Sequence, residues 1–169
     1  MIKNILITGT NRGIGFGIVK YLVSNSPNVE LIFAGYRDAN KSKIFLPLIQ
    51  KAVTGERNVL EASIINISTT ISSITIASTL SYFAYDYQCS KAALNMYTVC
   101  LATELAKSDI FIALLHPGWV QTDMERKRAS LNIDEASKNI INCITATKNE
   151  HYGKLIDSTS GSKCDILPF

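Results

Sequence analysis

A tyrosine and a lysine four positions apart, Tyr87 and Lys91, are the side chains of this sequence best suited to acid–base chemistry. The residues that follow predict a long helix continuing to Lys107, and helical positions four apart lie on one face. A free phenol has a pKa of about 10 and is a poor proton donor or acceptor at neutral pH. A neighbouring ammonium group lowers that pKa, so the pair predicts a general acid or base. The alternative is a packed tyrosine and a solvated lysine.

A glycine-rich turn near the N-terminus is the second feature with chemical meaning. An apolar run at residues 5–7 predicts a buried strand, glycines at positions 9, 13 and 15 predict a tight turn, and residues 14–23 predict an amphipathic helix. Such a turn lets a pyrophosphate approach the backbone and the free N–H groups of the helix N-terminus. The order predicts a dinucleotide site, although its spacing matches neither the G-x-G-x-x-G fingerprint nor the P-loop. The alternative is a plain turn.

The end of the second predicted strand, residues 29–34, bears on the choice of cofactor. In dinucleotide folds an acidic residue near this point binds the ribose 2′-OH, whereas an arginine accommodates a 2′-phosphate. Arg37, together with Arg12 in the glycine turn, favours NADPH, while Asp38 keeps NADH open. The alternative role for Arg37 is that of a solvated turn residue.

Length and composition predict one globular domain over residues 1–169, since 47% of the residues are hydrophobic and 18% are charged. The net charge is only +3 and the one basic run is at residues 126–128, so we expect no nucleic-acid partner. No apolar stretch approaches the length of a membrane span. The four cysteines lack metal-ligand spacing and are interpreted as free thiols, which favours the cytosol.

The rest of the chain continues the alternation of strands and helices. The pattern predicts helices over 41–52 and 132–147 and strands over 61–67, 109–115 and 153–157. A stretch rich in serine, threonine and isoleucine runs from Ser68 to Ser81 and either carries hydroxyls to a substrate or forms a surface loop. The Ser/Gly-rich tail after Asp157 carries no predicted element.

Three segments, in this order, resemble the short-chain dehydrogenase/reductase family: residues 8–15, residues 87–91 and residues 117–123. Residues 90–96 and 116–120 resemble its C-factor/sniffer-like branch, close to the carbonyl reductases. The resemblance implies an α/β, Rossmann-like parallel sheet with helices on both faces. It also implies NADP(H), with NAD(H) less suited, and hydride transfer to or from a small carbonyl or alcohol substrate.

The same resemblance implies roles for individual residues. Tyr87 would be the general acid in reduction, and Lys91 would lower its pKa and hold the nicotinamide ribose. Arg37 would read the 2′-phosphate. The pyrophosphate and adenosine side would be lined by Gly9, Asn11, Arg12, Gly13, Ile14 and Gly15, and the nicotinamide half by Pro117, Gly118, Val120 and Thr122.

The sequence also departs from the family. Thr69 stands where the family has its catalytic serine, and Ser68 or Ser72 are alternative hydroxyls. The Asn-Asn-Ala-Gly segment and the asparagine of the following helix are missing, and residues 125–131 replace an expected glycine-rich segment. By this resemblance the central strand and its neighbours have dropped out between about Asp38 and Phe45, which leaves about five strands.

This shortening has a physical consequence. The strand at residues 64–67 must pair directly with residues 5–7 or leave two buried edges unpaired. Direct pairing would shift the catalytic helix by roughly 4.8 Å, and a misplacement of about 1 Å can cost about a hundredfold in rate. We therefore expect an oxidoreductase with weak or no activity. The alternatives are a non-catalytic nucleotide-binding or interaction protein and a fragment that does not fold.

Oligomeric state is also left open by the sequence. The long helix that begins at Tyr87 is compatible with a homodimer that buries its outer face, and packing within the core explains the same pattern equally well.

Overall fold

The computed structural model describes residues 4–25, 31–35, 50–51, 62–123 and 129–169. Its strands and helices are β1 (Asn4–Thr8), α1 (Gly13–Asn25), β2 (Leu31–Gly35), β3 (Ser63–Ile67), α2 (Tyr85–Glu104), β4 (Phe111–His116), α3 (Ile133–Ala146), β5 (Leu155–Asp157) and β6 (Asp165–Leu167). Residues 50–51 are helical, and the rest of the helix predicted over 41–52 lies outside the described residues.

The described strands form two sheets. β1 and β2 make a parallel pair, while β3, β4, β5 and β6 form a four-stranded sheet in that order. β3, β4 and β5 are parallel, and β6 runs antiparallel to β5. The predicted shortened α/β architecture is confirmed. The strand predicted over 153–157 was not the last one, because residues 165–167 pair with β5 and add a further strand.

The sequence left open whether β1 pairs with β3. No ladder joins these two strands in the described part of the chain, so the edges are unpaired, but the residues of β3 are partly exposed and not buried as expected. Both strands nevertheless contribute to one core, since Ile7 of β1 and Ile65 and Ile67 of β3 pack against the same buried cluster. Side-chain packing therefore keeps β1 and β3 beside the same core without backbone hydrogen bonds between them.

β4 is the centre of the larger sheet, and its residues 111–115 are fully buried. Phe111, Ala113 and Leu115 pack in the cluster that includes Ile18 of α1 and Ile140 of α3. Ile112, on the opposite face, packs in a second cluster with residues of α2. Helices on both faces explain why this strand is a continuous apolar run rather than an alternating one.

α1 packs on α3 at a glycine. A Cβ at Gly17 would clash with the side chains of Ile133 and Ser137, so the two helices approach closely only because this side chain is absent. The start of α3 is fixed by Asn132, whose side-chain oxygen accepts from the N–H of Glu135 at 2.8 Å. The contact between the two helices at Gly17 sets the position of α1, whose N-terminus carries the glycine turn.

Gly17→Val should therefore destabilise the protein. An added side chain forces the helices apart or into strained rotamers, which typically costs about 1–3 kcal/mol. Urea denaturation would measure the free energy of unfolding. The control is Ser24→Val on the exposed side of α1, which should change that free energy by less than about 0.5 kcal/mol. Equal losses in the two variants would contradict the close α1–α3 contact.

Candidate active site

Tyr87 and Lys91 lie together on α2, at the carboxyl end of β3. The Nζ atom of Lys91 is 5.9 Å from the centroid of the Tyr87 ring and donates to the backbone oxygen of Ile67 at 2.7 Å. Both side chains are half-buried. The structure thus places a cation beside a phenol, in the neighbourhood that the spacing predicts.

Gln88 fixes the start of α2. Its side-chain oxygen accepts from the N–H of Ala84 at 2.8 Å, and its side-chain nitrogen donates to the backbone oxygen of Ile71 at 3.1 Å. The first turn of the helix, which contains Tyr87, is therefore tied to the hydroxyl-rich loop that follows β3. Sequence reasoning did not single out Gln88, because its role depends on where that loop lies.

A buried network of hydroxyls and an amide lies beside the pair. Ser68 Oγ donates to Asn95 Oδ1 at 2.5 Å, Asn95 Nδ2 donates to Ser72 Oγ at 2.9 Å, and Ser72 Oγ donates to the backbone oxygen of Thr69 at 2.6 Å. Ser68, Ser72 and Asn95 are each less than 5% exposed. Sequence analysis missed Asn95, although its position four residues after Lys91 places it on the same helix face.

The network bears on which hydroxyl stands for the catalytic serine. Those of Ser68 and Ser72 are engaged with Asn95. Thr69 is 7% exposed, and among the described residues its hydroxyl has no hydrogen-bond partner. A buried hydroxyl normally has such a partner. Of the three candidates, Thr69 is therefore the one whose hydroxyl is available to a carbonyl oxygen.

The glycine turn has the backbone that a phosphate site needs. Gly9 and Gly13 have φ of 71° and 58°, in the left-handed region that favours glycine. α1 begins at Gly13, so the N–H groups of Gly13, Ile14 and Gly15 lie in its first turn. A Cβ at Gly9 would meet nothing within 4 Å. Open space beside free backbone donors fits a dinucleotide pyrophosphate.

The polar residues of the turn are exposed. Asn11 and Arg12 point into solvent, where Arg12 Nη1 lies 3.7 Å from Asp123 Oδ2. Thr122 lies beside the same turn. A Cβ added at Gly13 would be 3.5 Å from Thr122 Cγ2. The glycine turn and the loop after β4 are therefore brought together, as a site shared between them requires.

The loop after β4 is held by the segment before α3. Leu131 accepts from the N–H of Gln121 at 2.8 Å and donates to the backbone oxygen of Trp119 at 3.0 Å. Gly118 has φ of 83°, in the left-handed region, and a Cβ there would lie 2.6 Å from Leu131 Cδ1, so this position favours glycine. Pro117 and Val120 are buried. The predicted nicotinamide-side residues thus form one fixed loop.

Arg37 and Asp38 lie outside the described residues, as do residues 124–128. The predicted contact of Arg37 with a 2′-phosphate therefore stays a prediction. Of the residues predicted to bind a dinucleotide, the structure describes those of the glycine turn and those of the loop after β4.

His116 links the end of β4 to two other segments. Its Nδ1 accepts from the N–H of Thr70 at 3.4 Å, and its backbone oxygen accepts from the N–H and the hydroxyl of Ser158 at 3.0 and 2.8 Å. Burial lowers the pKa of His116, and the nearby carboxylate of Asp157 opposes this shift only in part. A neutral imidazole is therefore favoured beside the hydroxyl loop.

The lowered pKa predicts how stability depends on pH. The folded state binds a proton at His116 less readily than the unfolded state, so acidification favours unfolding. We expect stability to fall between about pH 7 and pH 5, by no more than about 1.4 kcal/mol per pH unit for this one proton. Thermal unfolding across this range should give a shallower slope for His116→Gln. Identical slopes would contradict the assignment.

Other kinds of site find no support in the described part of the chain. No group of three His, Cys, Asp or Glu side chains there is arranged to hold a metal ion. No helix of the described residues combines the length and the apolar character needed to cross a bilayer.

The structure thus has a Tyr–Lys pair on a helix at the carboxyl end of a parallel strand, and a glycine turn at the start of another helix. The family model of the short chain dehydrogenases matches residues 48–132, just over half of the 169 residues. The chain belongs to the short-chain dehydrogenase/reductase family, as its motifs predict.

Curated relatives agree with this family. The chain is 40% identical to C-signal of Myxococcus xanthus over 74 residues, which are 44% of this chain and 45% of that protein. It is 29% identical to short-chain dehydrogenase anuI of Penicillium roqueforti over 121 residues, 67% of this chain and 46% of that protein. The chain therefore spans less than half the length of these relatives.

Solved structures agree with the fold. Carbonyl reductase Sniffer of D. melanogaster superposes with a TM-score of 0.84 at 23% identity, over 100% of both chains. The NADPH-bound carbonyl reductase from chicken fatty liver gives 0.85 at 23% identity, over 99% of both chains. At this identity the likeness supports the fold alone.

Proposed function

We propose that this protein is an NADP(H)-dependent oxidoreductase that acts on a small carbonyl or alcohol substrate. The observation that carries the proposal is the position of the Lys91 ammonium, 5.9 Å from the Tyr87 ring at the carboxyl end of β3. Two proteins of similar fold are described as carbonyl reductases, and one of them has NADPH bound. Their chemistry is extended here to this chain.

Three side chains, those of Tyr87, Lys91 and Thr69, take part in the proposed reaction. A bound nicotinamide dinucleotide supplies or accepts the hydride. In reduction, Tyr87 gives its phenolic proton to the carbonyl oxygen, and the Lys91 ammonium stabilises the phenolate that remains. The Thr69 hydroxyl orients the carbonyl by donating a hydrogen bond to the same oxygen. This assignment uses the hydroxyl that the Ser68–Asn95–Ser72 network does not engage.

Lys91 has a second proposed task. An ammonium group carries three N–H donors, so its bond to the backbone oxygen of Ile67 is compatible with also holding a ribose hydroxyl. The bond fixes the position of the cation relative to β3.

The remaining residues would hold the dinucleotide. Backbone N–H groups at the start of α1 would bind the pyrophosphate, and the loop at residues 117–122 would contact the nicotinamide half. Arg12 and Arg37 are assigned to the adenosine side, where a 2′-phosphate would pair with an arginine. The pairing of Arg12 with Asp123 is exposed and weak enough to be exchanged for a phosphate.

Thermal unfolding with saturating NADPH or NADH tests the cofactor. A ligand at a hundred times its dissociation constant stabilises a folded binder by about 2.7 kcal/mol, so NADPH should raise Tm by several degrees. NADH at the same concentration should raise it less, and Arg12→Gln should reduce the difference between the two. A cooperative transition that neither dinucleotide shifts would overturn the assignment of the glycine turn.

One observation favours a second function. β1 and β3 are not joined by a ladder among the described residues, and the two strands carry the glycine turn and the hydroxyl loop. Without a ladder to fix the spacing of these two elements, a misplacement of reacting groups would weaken catalysis, because small misplacements are costly. The second candidate is therefore a non-catalytic nucleotide-binding or interaction protein.

The proposal includes a cellular location. We place the protein in the cytosol, which its four free cysteines support.

The proposal also includes an oligomeric state. A homodimer through the outer face of α2 is supported by Met96 and Tyr97, which are 66% and 44% exposed. Light scattering at micromolar concentration would decide between a monomer and a dimer.

A further inference from the structure

β3 bonds to β4 through alternate residues. Phe111 N–H donates to the backbone oxygen of Ala62 at 2.9 Å, and Ser68 N–H donates to that of Leu115 at 2.8 Å. The register between them places Ile64 opposite Ile112. In a parallel ladder both backbone groups of a residue point to the same neighbour, and those of the next residue point to the other side. Ser63, Ile65 and Ile67 therefore direct their backbone groups away from β4.

That second edge of β3 is open. Within the described chain, the backbone oxygen of Ile67 accepts from Lys91, and no partner is found for the N–H groups of Ile65 and Ile67 or for the backbone oxygens of Ser63 and Ile65. All five residues of β3 are partly exposed, whereas residues 111–115 of β4 are buried. An interior strand would be as buried as β4, so β3 has the exposure of an edge.

Helices cover both faces of the sheet at this edge. Ile65 and Ile67 pack in the cluster that α1 and α3 share. On the opposite face, Ile64 packs against the cluster containing Ala102 of α2, and Asn66 Nδ2 donates to Thr98 Oγ1 of α2 at 2.9 Å. A segment placed beside β3 would continue both faces, so the side chains on each of its faces would meet apolar helix surfaces.

We propose that the open edge of β3 binds an extended peptide strand of another polypeptide. The edge offers alternating donors and acceptors, namely the N–H groups of Ile65 and Ile67 and the backbone oxygens of Ser63 and Ile65. Another strand matches this pattern, as in β-augmentation. The bound strand is uncharged and apolar on both faces, since a charge buried between the helices would be costly. The inference is independent of the proposed enzymatic function.

Amide hydrogen exchange on the whole chain tests the inference. In the free protein, Ile65 and Ile67 should exchange at least about tenfold faster than Ile64 and Asn66, whose amides bond to β4. The probe is a synthetic peptide of the sequence IFIALLH, that of residues 110–116, with lysines added outside it for solubility. Binding of this peptide should slow exchange of the Ile65 and Ile67 amides by at least about tenfold, because the bound strand would pair with the open edge. The matched control is the same peptide N-methylated at alternate amides, which should have no effect.

Four results would overturn the inference. Slow exchange at Ile65 and Ile67 in dilute free protein would mean that the edge is already covered. Protection that grows with protein concentration alone would assign the edge to a second copy of this chain. Exchange that the unmethylated peptide leaves unchanged at millimolar concentration, or that both peptides slow equally, would show that the edge does not pair with a strand.

Discussion

Tyr87→Phe should reduce carbonyl reductase activity by about 10²–10⁴-fold, the range that a positioned general acid contributes. Phenylalanine keeps the ring beside the Lys91 ammonium but has no proton to give. The fold and the stabilisation by NADPH should both be retained, since the hydroxyl is assigned to neither. The rate is measured as loss of NADPH absorbance with small aldehydes and ketones.

The control for this variant lies on the same helix. Tyr97 is 44% exposed, so Tyr97→Phe makes the same chemical change outside the site and should leave the rate unchanged. If Tyr87→Phe keeps the wild-type rate, Tyr87 is not the general acid. If the wild-type chain binds NADPH but turns over no carbonyl compound, the second candidate, a non-catalytic binding protein, is favoured.

Phe111→Ala should have the largest effect on stability, lowering the free energy of unfolding by about 3–5 kcal/mol. Phe111 is 1% exposed, begins the central strand and meets Tyr152 edge to face with ring centroids 6.1 Å apart. Truncation removes these contacts and leaves a cavity between β4 and the helices. A loss of this size is a large fraction of the stability of an ordinary domain.

Phe83→Ala is the matched control, because it removes the same atoms from a ring that is 49% exposed. Urea denaturation should show a loss several times smaller for Phe83→Ala than for Phe111→Ala. Similar losses in both variants would mean that Phe111 is not packed in the core as described.

The fold was predictable where burial alone determines the pattern. The apolar run of β4 and the helical periodicity of α3 appear at nearly the predicted positions, because each element buries its own apolar residues. β6 was missed since residues 165–167 are mostly exposed and gain their structure by pairing with β5. The open edge of β3 was one of two outcomes, and local sequence carries no information about which strands meet.

The site was predictable to the extent that helix geometry determines it. Tyr87 and Lys91 share a face because of their spacing, whichever tertiary structure surrounds them. The role of Asn95 depends on a loop 23–27 residues earlier in the chain, so the sequence alone did not indicate it. The same network engages Ser68 and Ser72, and our proposal therefore assigns the substrate to Thr69, a choice that residue type alone does not indicate.

The absence of a ladder between β1 and β3, within the described residues, has a consequence for the cooperativity of folding. α1 and the β1–β2 pair are joined to the larger sheet by side-chain packing, chiefly of α1 on α3. We expect a unit held in this way to open at a lower free energy than the core strands, and this unit carries the glycine turn. A ligand that binds the closed unit would stabilise it against opening, so binding at the turn and local folding would be coupled.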